Sequence, residues 1–266
     1  PFLFWSLIYI VFRISRGIGA GEVFNLVTVL KTFVYSFLEG SCYHLWYIYM
    51  ILGLYLFIPI LTKWIRNASE KSILFFLFIW FITVCFSLPP LQKYLIRIDL
   101  TYFSGYIGYL VLGYYLSVIP EDHPIVHSRR RLILLFALGA ATTLIGTYFL
   151  SLRKNGLEAY LYEYLTPNVV IMAAACFLLV RENANAPKSL APPGLLSKGA
   201  DIIGTSSYGI YLVHVLVLWG LGKVGIDGAF YHPIVGIPLT TLLCLVISAA
   251  IIAGFKRMPY GKYISG

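Results

Sequence analysis

The run "SSYGIYLVHVLVLWG" holds an imidazole inside an apolar stretch. Ser207, Tyr211 and His214 stand at i, i+4 and i+7, which places them on one face of a helix. His214 falls roughly 10 Å into the run at 1.5 Å per residue. Imidazole titrates near neutrality, so it can take a proton from a hydroxyl or orient a ligand. The alternative is that it hydrogen-bonds a neighbouring helix and only holds a bundle together.

A second constellation opens "CYHLWYIYMILGLYLFIP". His44, Tyr47 and Tyr55 fall within about 80° of one another on a helical wheel. Trp46 and these tyrosines also have the composition of an interfacial aromatic belt. Pro59 predicts a kink lower in the same helix. A third cluster is "RIDLTYFSGYIGYLVLGYY". Asp99 there contacts a substrate, caps a helix or pairs with Arg97. Tyr102, Tyr106 and Tyr109 form either a sugar-stacking wall or core, and Ser104 with Gly108 makes a small-xxx-small pair suited to close helix packing. Arg129, Arg130 and Arg131 in "HSRRR" suit donor phosphates or simple anchoring at a membrane face. His123 and His127 are loop histidines without metal-ligand spacing. There is no P-loop, nucleophile elbow, zinc signature or dinucleotide fingerprint. No bound cofactor and no metal are expected.

The elements that position these residues follow from composition. The chain has 266 residues, 59% hydrophobic and 12% charged. A soluble domain carries about 25% charge, so a soluble fold is excluded, as is disorder. Four cysteines are too few for a disulfide-stapled module, and Cys85, Cys176 and Cys244 lie inside apolar runs. A membrane span needs about 20 mostly apolar residues. Eight candidates run over 1–13, 43–62, 72–91, 100–119, 132–152, 167–181, 207–223 and 233–255. They lack the alternation of barrel strands, so the expected fold is an all-α, polytopic transmembrane bundle. Pro1 stands directly before an apolar run, so the chain is expected to be one domain over 1–266, a piece of a longer protein.

An even number of spans puts both ends on one side. That side holds 12 of the 20 Lys and Arg residues, which predicts cytoplasmic ends. The net charge of +9 is then mostly topology, and no nucleic-acid partner is expected. Residues 21–40 show helical apolar spacing interrupted by polar residues, which predicts an amphipathic helix in the interface. Residues 181–206 read as a Pro-containing linker followed by a short surface helix. Asn67 opens a glycosylation sequon, which this orientation leaves unused. No internal repeat supports an inverted-repeat transporter.

The blocks "PFLFWSLIYIVFR", "HLWYIYMILGLYLFIPIL", "SYGIYLVHVLVL" and "KRMPYGKYISG" resemble the bacterial integral-membrane acyltransferases of the acyltransferase-3 family, in order and spacing. The resemblance spans nearly the whole chain. It implies a cell-membrane, multi-pass protein of ten helices that moves an acyl group, usually acetyl from acetyl-CoA, to a hydroxyl of an extracytoplasmic glycan. Membrane lipid, acyl-CoA and a glycan acceptor are the implied partners. The family's presumed catalytic His and a basic Arg motif belong to helices upstream of Pro1. On that implication this chain alone is expected to be inactive unless His214 or His44 substitutes in the proton transfer. The acyl donor is expected near Arg129, Arg130 and Arg131 and the 181–206 loop. The acceptor is expected near His44, Tyr47, Tyr55 and Asp99, with His214, Tyr211 and Ser207 lining the route between. Two rival readings are a transporter of polysaccharide or small solute, and the membrane module of a larger enzyme.

Overall fold

A computed structural model describes residues 1–92, 103–120, 123, 128–185 and 195–266. Among the described residues all regular structure is helical. Eleven helices are labelled in chain order: α1 (Phe2–Gly19), α2 (Leu26–Glu39), α3 (Trp46–Asn67), α4 (Glu70–Phe86), α5 (Pro89–Gln92), α6 (Ile107–Val118), α7 (Arg129–Lys154), α8 (Pro167–Asn185), α9 (Leu195–Lys223), α10 (Pro233–Arg257) and α11 (Lys262–Ser265). Each expected span coincides with a helix. Among the described residues six stretches are long and apolar enough to cross a membrane, one of them running from α2 through α3. The other two expected spans are shorter, α4 with 17 residues and α6 with 12.

Local chemistry sets the ends. Ser69 caps α4 by accepting from the Ser72 N–H at 3.2 Å, and α4 stops before the Pro89–Pro90 pair, which cannot continue a helix. The fourth span was expected from residue 100, but its helix starts at Ile107. Gly105 sits at φ +78°, a conformation that breaks a helix and suits glycine. Its carbonyl accepts from Trp80 Nε1 at 2.9 Å. The short surface helix expected in the second part of 181–206 is instead the first part of α9. Nothing between Leu195 and Ser206 is a proline, so the α9 backbone continues without a break for 29 residues. At 1.5 Å per residue it is about 43 Å long, longer than the ~30 Å hydrocarbon layer.

The chain divides into two compact units, Pro1–Leu52 with Ser189–Gly266, and Gly53–Lys188. The first packs Trp5, Tyr9, Leu45, Leu212, Val213, Val217, Leu221, Cys244 and Ile252 into one core. The α11 turn closes against α1 through a Trp5 Nε1–H to Ile264 carbonyl bond of 2.9 Å.

The second unit centres on Trp80, Val111, Leu132 and Leu178. Its α7–α8 pair is joined by a polar contact: Asn168 Nδ2 donates to Thr143 Oγ1 and to the Leu161 carbonyl, both at 2.8 Å. Gly139 makes the close approach possible, since a Cβ there would meet Met172 Cγ at 2.5 Å and the Asn168 carbonyl oxygen at 2.8 Å. Interhelical hydrogen bonds in membranes contribute about 0.6 kcal/mol on average and about 1.7 at most. Asn168→Leu is therefore expected to destabilise the protein by about 0.6–1.7 kcal/mol, read as a fall in the unfolding midpoint in detergent. An unchanged midpoint would remove this bond from the joint. In the same unit Arg181 caps α6, its guanidinium donating to the Leu116 and Ile119 carbonyls at 2.7 Å each. These are the orphan acceptors that a helix end leaves.

Candidate functional site

Gly40, at φ +100°, ends α2 and turns the chain into a single 3-10 turn, Tyr43–Leu45, ahead of α3. His44 sits in that turn and is only 7% exposed. Four aromatic rings surround it. Tyr9 of α1 lies 5.2 Å away between ring centroids, Tyr43 5.6 Å, Tyr211 of α9 5.4 Å and His214 of α9 5.0 Å, all edge-on. Such offset geometries are the favourable ones for aromatic pairs. Tyr47, at the start of α3, extends the cluster with its ring 5.7 Å from Tyr211.

Hydrogen bonds lock the frame around His44. The Tyr211 hydroxyl donates to the His44 carbonyl. The Tyr9 hydroxyl donates to the Leu212 carbonyl at 2.8 Å, tying α1 to α9. His214 Nδ1 lies 2.7 Å from the Tyr211 carbonyl. A carbonyl only accepts, so Nδ1 carries the hydrogen, and neutral His214 presents its lone pair at Nε2. Cys244 Sγ of α10 contacts the His214 carbonyl at 3.5 Å.

His44 differs from its neighbours, because neither of its ring nitrogens has a partner among the described residues. A neutral imidazole offers one donor and one acceptor. Leaving such a group buried and unpaired costs about 1–3 kcal/mol. The pair His44–His214 thus combines a ring with both nitrogens unused and a ring whose tautomer is fixed. A hydroxyl, which donates and accepts at once, matches His44, and a base beside it can take a proton.

Ser207 is exposed, and its hydroxyl donates to the Gly204 carbonyl at 2.9 Å, back into its own helix. Its neighbour Ser206 is buried and receives Lys256 Nζ at 3.1 Å. Tyr55 belongs to the second unit and is 60% exposed. Arg129, Arg130 and Arg131 form the first turn of α7 in that unit, all exposed, with Arg129 Nη1 3.9 Å from Glu182. Asp99, Arg97, Tyr102 and His127 lie outside the described residues. Tyr109 is used in packing: it meets Trp80 edge-on at 5.2 Å, and its hydroxyl donates to the Tyr164 carbonyl at 2.5 Å. Sequence reasoning passed over Tyr9 and Tyr43. Tyr9 carried a signal, a phenol midway along the apolar run "SLIYIVFR". Among the described residues no cluster of three or more His, Cys, Asp or Glu side chains is suited to a metal.

Membrane-length helices define a polytopic membrane protein, and its first unit sets the buried His44 beside the half-buried His214. A family model described as an acyltransferase domain matches residues 1–253, and the chain belongs to the acyltransferase-3 family of membrane proteins. No curated protein and no solved structure matches the chain.

Proposed function

We propose that the protein transfers an acyl group, acetyl in the leading case, from acyl-CoA to a hydroxyl of a cell-envelope glycan, at the His44–His214 pair. The observation that carries this reading is His44, buried with both nitrogens unpaired among the described residues and 5.0 Å from a second imidazole. In the proposed step His44 holds the acceptor hydroxyl by one nitrogen. Nε2 of His214 takes the hydroxyl proton as the oxygen attacks the thioester carbonyl. The carbonyl then re-forms, the carbon–sulfur bond breaks, and the imidazolium returns its proton to the departing thiolate of CoA. The products are an ester and free CoA-SH, so no oxidant or further reactant is needed. Tyr9 and Tyr211 hold the two rings in place through their hydrogen bonds to backbone carbonyls.

Tyr47 lies next to this pair and is proposed to contact the acceptor. Ser207, in the same unit, is proposed to line its approach. Arg129, Arg130 and Arg131 are proposed to meet the phosphates of CoA, consistent with their exposure at one end of α7. The protein is proposed to sit in the cell membrane as one functional domain with both ends in the cytoplasm, since the sides defined by the helix count differ in Lys and Arg.

The test is transfer of label from radioactive acetyl-CoA in proteoliposomes containing envelope glycan. Label is expected in an alkali-labile ester on the glycan, with CoA released in equal amount. CoA release without ester formation, or solute flux that needs no thioester, would overturn the reading.

A further inference from the structure

The second unit holds a cavity of about 480 Å³ between the end of α3 and the first turns of α4, lined by Trp64, Lys71, Ser72, Phe75, Phe76 and Phe103. Its wall is aromatic: the Trp64 and Phe76 rings lie 5.5 Å apart, and Phe76 and Phe103 5.6 Å. Its rim is cationic. Lys71 is exposed and makes no ion pair or hydrogen bond among the described residues. The adjacent Glu70 is not paired with it and accepts instead from the Tyr115 hydroxyl at 3.3 Å. Successive residues on a helix face different ways.

We infer that this cavity binds an anionic glycerophospholipid, its phosphate at Lys71 and its upper acyl chain against Trp64, Phe75, Phe76 and Phe103. The charge argument selects the headgroup. A cationic side chain at the end of an apolar helix attracts anionic lipid, and a single Lys is worth about a fivefold change in affinity at a membrane surface. The wall argument selects a lipid over free phosphate. The aromatic wall, with Phe75 62% exposed, can pack against an acyl chain and offers a soluble anion no contact. Ser72 contributes a hydroxyl that lies 2.9 Å from Ser69 Oγ and can still accept from a headgroup. This site is independent of the acyl-transfer chemistry proposed above.

Trp64 makes the site measurable. The protein is reconstituted in phosphatidylcholine vesicles with a minor fraction of brominated phosphatidylglycerol or brominated phosphatidylcholine. Bromine quenches nearby indoles, and the Trp64 signal is the difference between wild type and Trp64→Phe. Half-maximal quenching is expected at roughly fivefold less brominated phosphatidylglycerol than phosphatidylcholine. Lys71→Gln is expected to abolish that preference and Lys71→Arg to retain it, with glycerol phosphate in solution failing to compete. Equal quenching by both lipids in the wild type, a preference that survives Lys71→Gln, or competition by glycerol phosphate would each overturn the inference.

Discussion

His44→Phe is expected to give a protein that is more stable and nearly inactive. The ring of Phe keeps the edge-on contacts with Tyr9, Tyr43, Tyr211 and His214, so the packing of the turn survives. It also removes two buried nitrogens that have no partner among the described residues. Relieving an unpaired buried polar group is worth about 1–3 kcal/mol, so the unfolding midpoint should rise. A positioned acid–base or hydrogen-bonding group contributes about 10²–10⁴-fold to rate, so acyl transfer should fall by that factor. The two readouts move in opposite directions only if the imidazole is kept for chemistry. Full activity in His44→Phe would reduce His44 to a packing residue. The companion variant His214→Gln keeps a side-chain amide able to donate to the Tyr211 carbonyl but lacks a titratable nitrogen. It should lose about 10²–10⁴-fold in turnover with little change in stability, and unchanged turnover would remove His214 from the mechanism.

The largest stability effect is expected at the α4–α6 contact. Trp80 is 1% exposed, and its indole both fills the second unit's core and donates to the Gly105 carbonyl. Trp→Ala in a packed core costs about 3–5 kcal/mol through lost contacts and the cavity left behind. In lipid the contact loss persists, because van der Waals packing is a main force holding membrane helices together. Trp80→Ala should therefore lower the unfolding free energy by about 3–5 kcal/mol. Gly108→Ala probes the same contact from the other side. A Cβ at Gly108 would stand 2.0 Å from Trp80 Cε2, and overpacking of this kind costs about 1–3 kcal/mol or more. In Trp80→Ala the space opens, so Gly108→Ala in that background should be nearly neutral. Additive losses in the double variant would mean that the two residues do not share the contact.

Much of the architecture could be read from apolar runs alone, because a membrane helix must satisfy its backbone within itself. The family also could be read, from "HLWY" and "SYGIYLVH" in their spacing. The finer boundaries depended on single residues whose effect is three-dimensional. Gly105 halts a helix because its backbone turns to meet an indole 25 positions earlier, and no periodicity announces that. The candidate site was half visible. His214 and His44 stood out as imidazoles in oil, and the helical wheel correctly put Tyr211 with His214. The wheel also put Tyr55 with His44. His44 itself precedes α3, in a turn whose geometry a helical wheel does not describe. Ser207 illustrates the same limit: spacing names a face, but only packing decides which end of that face is covered. Tyr9 could have been flagged, yet its partner at Leu212 lies 203 positions away, and a pattern within one run carries no word of it.

That separation has a consequence for biosynthesis. The first unit is made from both ends of the sequence, with Gly53–Lys188 emerging between them. Its closing contacts span 203 and 259 residues. At about 5–20 residues per second on the ribosome, His44 waits on the order of ten seconds or more in the bilayer before α9 arrives to face it. The intervening unit can be finished during that delay. The two imidazoles can therefore meet only once α9 has been made.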